Sequence, residues 1–138
     1  MICAVWLLML DIMFFCSNLV TFLPTTEDAM QTFRHSPGKP DVVGFYDMRT
    51  SSVQYVVSDP VTRRCAIIDP VLDFDEKSGA IATHHANELL GYVASQGLKV
   101  EWILDTHPHA DHFSAAQYLK EKTGAPTAIG AYVTQVQA

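Results

Sequence analysis

Apolar and polar positions change their spacing several times along the chain, and each change marks an expected element. Residues 1 to 24 form an apolar segment that ends at Pro24. Residues 25 to 41, with Thr25-Thr26-Glu27-Asp28 and Ser36-Pro37-Gly38-Lys39-Pro40, are polar and rich in turn formers, so they predict a linker. Val42 to Arg49 and Val53 to Val57 then predict two strands around a turn at Thr50-Ser51-Ser52. A third strand, Arg64 to Ile68, is ended by Asp69-Pro70.

Leu72 to Ala82 holds Asp73, Asp75, Glu76, Lys77 and Gly79 and predicts an irregular, charged stretch. Ala86 to Ser95 places Leu89, Leu90 and Val93 at helical spacing, with Gly97 as a stop. Val100 to Leu104 is a short β-rich run, His107 to Asp111 a loop, and Phe113 to Lys122 a helix ended by Thr123-Gly124. No internal repeat interrupts this order. Strand, helix, strand, loop and helix in sequence imply an α/β domain over residues 42 to 138, with chemistry on loops at strand ends.

Composition narrows the partners. The 138 residues suffice for one small domain, and a formal net charge of -6 supplies no basic stripe for a phosphate backbone, so no nucleic acid is expected. Cys3, Cys16 and Cys65 share no CxxC spacing, which argues against a disulfide framework and fits a reducing, cytoplasmic setting. Cys65, in the run Cys65-Ala66-Ile67-Ile68, reads as a small buried hydrophobe.

Residues 1 to 23 are long enough to span a bilayer at about 1.5 Å per residue, so membrane contact through them stays open. Asp11 near the middle opposes insertion by about 2.5–3.5 kcal/mol. There is no Lys or Arg before Arg34 to make a signal-peptide n-region. A membrane anchor, a secretory signal and a misassigned start are the three readings of this segment. If it inserts, Arg34 and Lys39 favour keeping the remainder in the cytoplasm.

The chemistry lies in Thr106-His107-Pro108-His109-Ala110-Asp111-His112. Divalent-metal sites need several imidazoles and carboxylates converging on one point, and His-x-His-x-Asp-His packs four into six residues. In extended backbone His107 and His109 face the same way and can grip one ion, and Pro108 stiffens the pair. Asp111 and His112, expected at a helix start, point to a neighbouring position, suited to a second ion or to orienting a metal-bound water, which makes Asp111 the catalytic candidate. His84-His85 reads as solvated and His35 as linker. Asp69 and Asp105 read as structural, or as carboxylates beside the metal ligands.

Beyond that motif, Phe45-Tyr46-Asp47, Tyr55 to Pro60, Ala66 to Asp75 and Leu104 to His112 together resemble the bacterial beta-lactamase hydrolase-like proteins. These belong with the persulfide dioxygenases and glyoxalase II thioesterases of the metallo-beta-lactamase superfamily. The resemblance covers about residues 42 to 135 and implies the N-terminal half of an αββα sandwich. In the dioxygenase branch it implies a mononuclear Fe(2+) that oxidises glutathione persulfide to sulfite with dioxygen, with His107 as the one ligand carried over. In the hydrolase branch it implies Zn(2+), with His107 and His109 on the first metal and Asp111 and His112 on the second.

Phe113 to Ala138 contains no His, Asp or Cys, so the later ligands of either branch are not found in this stretch. The second half of the sandwich is likewise not expected here. Three enzyme or non-enzyme readings follow: a persulfide dioxygenase acting on a small thiol or persulfide, a thioester or lactam hydrolase, and an inactive fragment or a subunit completed by another chain, including a second copy of itself. Uncovered apolar sheet faces are the expected structural consequence.

Overall fold

In the computed structural model, the described residues are 30–33 and 38–136. The apolar segment of residues 1 to 23, with its three readings, lies outside them. Among the described residues no helix is long and apolar enough to cross a membrane.

The three antiparallel strands form as expected: β2 (Asp41–Asp47), β3 (Ser52–Ser58) and β4 (Arg64–Ile68). Each carries β-branched residues, and adjacent buried positions such as Val56–Val57 and Ile67–Ile68 fall on both faces of the sheet. Ahead of them, within the stretch expected to be linker, β1 (Met30–Phe33) pairs antiparallel with β2. The polar flanks on either side had masked that four-residue strand.

Helix α1 (His84–Ser95) returns the chain so that β7 (Lys99–Asp105) lies parallel to β4. This strand–helix–strand crossover is the unit that parallel pairing requires. Helix α2 (Ala116–Thr123) closes with Gly124 at φ 72°, as Thr123-Gly124 predicts, and leads to β9 (Thr127–Ile129), parallel to β7. The large sheet runs β1-β2-β3-β4-β7-β9, and a short α3 (Val133–Val136) follows.

Two expectations need correction. The charged stretch after Pro70 is a hairpin, β5 (Val71–Asp75) and β6 (Ala80–Ala82), not an irregular segment. Its acidic residues fill alternate positions and the turn: Asp73 shares the buried side with Val71, while Asp75 Oδ1 accepts the N–H groups of Lys77 and Ser78 ahead of Gly79 at φ 70°. Phe113 likewise does not open a helix. With Ser114 it forms β8 (Phe113–Ser114) on β5, and Phe113 packs edge-on against Phe74 at 4.9 Å, so the helix begins three residues later. The small sheet is therefore β6-β5-β8.

The main core lies between the large sheet and the two helices, where Val43, Val56, Ile67 and Ile103 meet Leu89 of α1 and Leu119 of α2. Cys65 belongs to it, and burial pushes its thiol up to about 11, with the Glu101 charge adding to the shift. The thiol is therefore protonated at neutral pH, as a small core hydrophobe would be. The opposite face carries a smaller cluster of Val57, Ile68 and Leu104 with half-buried Val42, Tyr55 and Ala66. Trp102, paired with Ala66, stands largely open there.

Ile67→Ala empties a fully buried site between sheet and helices, and the expected cost is about 2–5 kcal/mol in urea unfolding. Val61→Ala, at an exposed turn, should stay within about 0.5 kcal/mol of the parent. Equal losses in the two variants would contradict this placement of the core.

Candidate metal centre

Two strand ends build the site. β4 and β7 are parallel neighbours, so the loops leaving Ile68 and Asp105 open on the same edge of the sheet, where α/β proteins place ligands. Asp69 leaves β4 at φ 51°, a left-handed conformation that Asp tolerates better than most residues. Its Oδ1 accepts the Thr106 N–H at 2.7 Å, and its Oδ2 accepts the Thr106 hydroxyl at 2.8 Å. The turn-forming role and the position beside the metal motif, alternatives in the sequence, are thus met by one residue.

These bonds set the imidazoles. His109 Nε2 lies 2.9 Å from Asp69 Oδ1, and this carboxyl already accepts from Thr106 through both oxygens, so Nε2–H donates and the lone pair is on Nδ1. The single hydroxyl proton of Thr106 is committed to Asp69, so its oxygen accepts Nδ1–H of His107 at 2.8 Å. That leaves the lone pair of His107 on Nε2. His112 Nδ1 lies 3.3 Å from Asp111 Oδ2 and 3.2 Å from Ser52 Oγ. Its Nε2 is buried without a partner, one of two such side-chain atoms among the described residues, the other being Gln54 Nε2.

The three rings stack in order, His107 to His109 at 4.3 Å and His109 to His112 at 4.1 Å between centroids. Ligand atoms of His109, Asp111 and His112 all lie within 4.8 Å of one another, as do those of Asp69, Asp105 and His109. His107 and His109 are in ring contact, as are His109 and His112, so the two pairs of the motif meet at His109. His109 joins Asp111 and His112, while His107 stands at the exposed end of the stack. Nor do Asp111 and His112 open a helix: they sit in the loop before β8, which directs them back toward the β2–β3 turn.

Electrostatics separates the carboxyls. Burial raises Asp105 above the ordinary aspartate range, against the opposing Ser114 hydroxyl, and the Asp69 charge adds to the rise. For Asp111 the slight burial is outweighed by the Ser52 hydroxyl, its own N–H and His112, so its carboxyl lies below the ordinary value and is ionised at neutral pH.

Sequence reasoning missed a second polar group that reaches the site. His85, expected in solvent beside the exposed His84, has Nδ1 on Asp73 and Nε2 3.5 Å from Asp47. Asp47 is buried at the end of β2, where it accepts the Thr50 hydroxyl at 2.6 Å and the Arg49 N–H at 3.0 Å. Thr50 in turn lies 2.8 Å from Ser52. The one signal was the Asp47–Thr50–Ser52 spacing in a turn, which says nothing of contacts with positions near 85 or 111.

Residues 48–134 match the metallo-beta-lactamase superfamily, and the chain belongs to it. The beta-lactamase hydrolase-like protein of Xylella fastidiosa (strain 9a5c) is 74% identical over 98 residues, covering 71% of this chain and 23% of that protein. The chain thus spans about a quarter of the length of that curated relative. Glyoxylase B2 of Dictyostelium discoideum is 41% identical over 87 residues, covering 62% of this chain and 30% of that protein. Among solved structures, ETHE1 from Myxococcus xanthus shares 32% identity at a TM-score of 0.51, covering 61% of this chain and 32% of that one. The mixed α/β sheets seen here match those of such neighbours, so the fold expectation holds.

A divalent metal suits this donor set. His107 Nε2 and His109 Nδ1 keep lone pairs free, a carboxylate stands beside them, and the buried Nε2 of His112 lacks any protein partner.

The polar group gives a pH prediction. Burial pushes Asp47 up, but the Thr50 hydroxyl, the Arg49 N–H and the charge of His85 together hold it below 3.8, the ordinary aspartate value. A carboxyl depressed in the folded state stabilises it above the unfolded value, and this contribution is lost as pH falls through the folded value. Between about pH 5 and pH 2 the urea midpoint of the parent should therefore fall more steeply than that of Asp47→Asn. Parallel slopes would contradict the assigned direction.

Proposed function

We propose that the intact protein is a persulfide dioxygenase and that this chain supplies its metal-binding motif. The observation that carries the reading is the stack of His107, His109 and His112 with Asp111 grouped beside the last two and His112 Nε2 buried without a protein partner. The resemblance to the dioxygenase branch, together with 32% identity to ETHE1 from Myxococcus xanthus, supports the choice of reaction. Glutathione persulfide, dioxygen and water then yield glutathione and sulfite, with dioxygen as the oxidant. Bound ferrous iron supplies the redox chemistry. The residues of this chain hold and orient: Asp69 and Thr106 fix His109 and His107, and ionised Asp111 is available as a ligand or proton acceptor.

A second reading, zinc-dependent thioester hydrolysis, is favoured by the grouping of His109 with Asp111 and His112, a set that also suits water activation, and by the likeness to Glyoxylase B2.

The test is bound metal by elemental analysis on the full chain and on the intact protein, with His107→Ala and His112→Ala as controls. Oxygen uptake with glutathione persulfide is measured alongside. Stoichiometric iron that is lost in the variants, with persulfide-dependent oxygen uptake by the intact protein, is the expected result. Zinc, with acylglutathione turnover that needs no oxygen, would replace the first reading by the second. Metal content unchanged by either substitution would overturn both.

A further inference from the structure

His107 and His109 are oriented by Asp69 and Thr106, from the two strand ends that carry the motif, but His112 takes a partner from elsewhere. Ser52, at the start of β3, brings its Oγ to 2.9 Å from Asp111 Oδ2 and 3.2 Å from His112 Nδ1. Counting protons fixes the direction of these bonds. A carboxylate oxygen can only accept, so the one Ser52 proton goes to Asp111 Oδ2. The Ser52 oxygen then offers His112 only a lone pair, which requires a proton on Nδ1. Asp111 Oδ2, 3.3 Å from the same nitrogen, makes the same demand. The opposite tautomer would instead set the Nδ1 lone pair against the Asp111 carboxylate oxygen.

Ser52 is itself braced. The Thr50 hydroxyl shares its one proton between Ser52 Oγ at 2.8 Å and Asp47 Oδ2 at 2.6 Å, and Asp47 is buried and paired with His85. A β-turn of the large sheet is thereby tied to the motif loop across 60 positions of sequence.

We propose that Ser52 is a positioning residue which, with Asp111, holds His112 as the Nδ1–H tautomer and so keeps the buried Nε2 lone pair free for a metal. The metal part of this assignment rests on the reading of the site given under Proposed function.

The experiment has two readouts on the full chain. Long-range 1H–15N NMR of the metal-free protein should show His112 protonated at Nδ1. In Ser52→Ala that signal should move toward the unprotonated position. Titration with cobalt(II) alone should show its dissociation constant raised about 10–100-fold in Ser52→Ala. Ser52→Thr, which keeps the hydroxyl, should restore both, and an unchanged backbone spectrum shows that the variants fold. Ser52→Ala with the parent Nδ1 signal overturns the proposal, whether or not cobalt affinity falls, since Ser52 would then act by another route. A Ser52-dependent Nδ1 signal in a parent chain that binds no cobalt supports the tautomer assignment and overturns the metal reading instead.

Discussion

The site depends on one carboxylate at a strand end. Asp69 adopts a left-handed backbone immediately before Pro70, a combination that disfavoured sterics make costly by about 1–3 kcal/mol. Its two oxygens accept three bonds, from the Thr106 N–H, the Thr106 hydroxyl and His109 Nε2–H, and bonds to an ionised acceptor are stronger than neutral ones. A single residue thus ties the end of β4 to the loop after β7. It also selects which nitrogen of His109 and, through Thr106, of His107 carries a lone pair. An apolar residue at this position would leave the rings free to turn.

The rest of the fold serves that junction. Parallel pairing of β4 with β7 brings the two strand ends to one edge, and α1 is the crossover that makes the pairing possible. The β5–β6 hairpin and β8 close the other side of the loop: Val71 and Leu72 pair with Ser114 and Phe113, and Ala115 N–H donates to the Pro70 carbonyl at 2.8 Å. Asp73, on the same hairpin, reaches His85 and through it Asp47, so the hairpin and the β2–β3 turn are held against each other by buried polar groups that are all paired.

Much of this was legible in the sequence where local pattern and tertiary role agree. The antiparallel strands, the crossover helix with its Leu89 and Val93 face, and the Gly124 stop follow from periodicity and turn chemistry alone. The candidate ligands His107, His109, Asp111 and His112 stood out because their residue types are crowded into one short loop. What was not legible depends on contacts distant in sequence. β1 takes its partner from β2 rather than from its own weak pattern, and Asp73 and Asp75 disguise a strand because a buried carboxylate paired with His85 looks, in sequence, like a solvated charge. Ser52 is an ordinary turn serine until the fold sets it beside position 112. The helix start expected at Asp111 and His112 is absent because the loop before β8 folds both residues back toward His109.

The proposals for this site require that the motif hold a metal through imidazole nitrogens left free by the Asp69, Thr106 and Ser52 contacts. X-ray absorption fine structure of the zinc-loaded chain, with anomalous diffraction to locate the ion, addresses this requirement most directly. An ion with nitrogen neighbours at about 2.0–2.1 Å, drawn from His107 Nε2, His109 Nδ1 and His112 Nε2, is the expected result. An ion held only by oxygens, or found at the exposed His84 away from the motif, would contradict it.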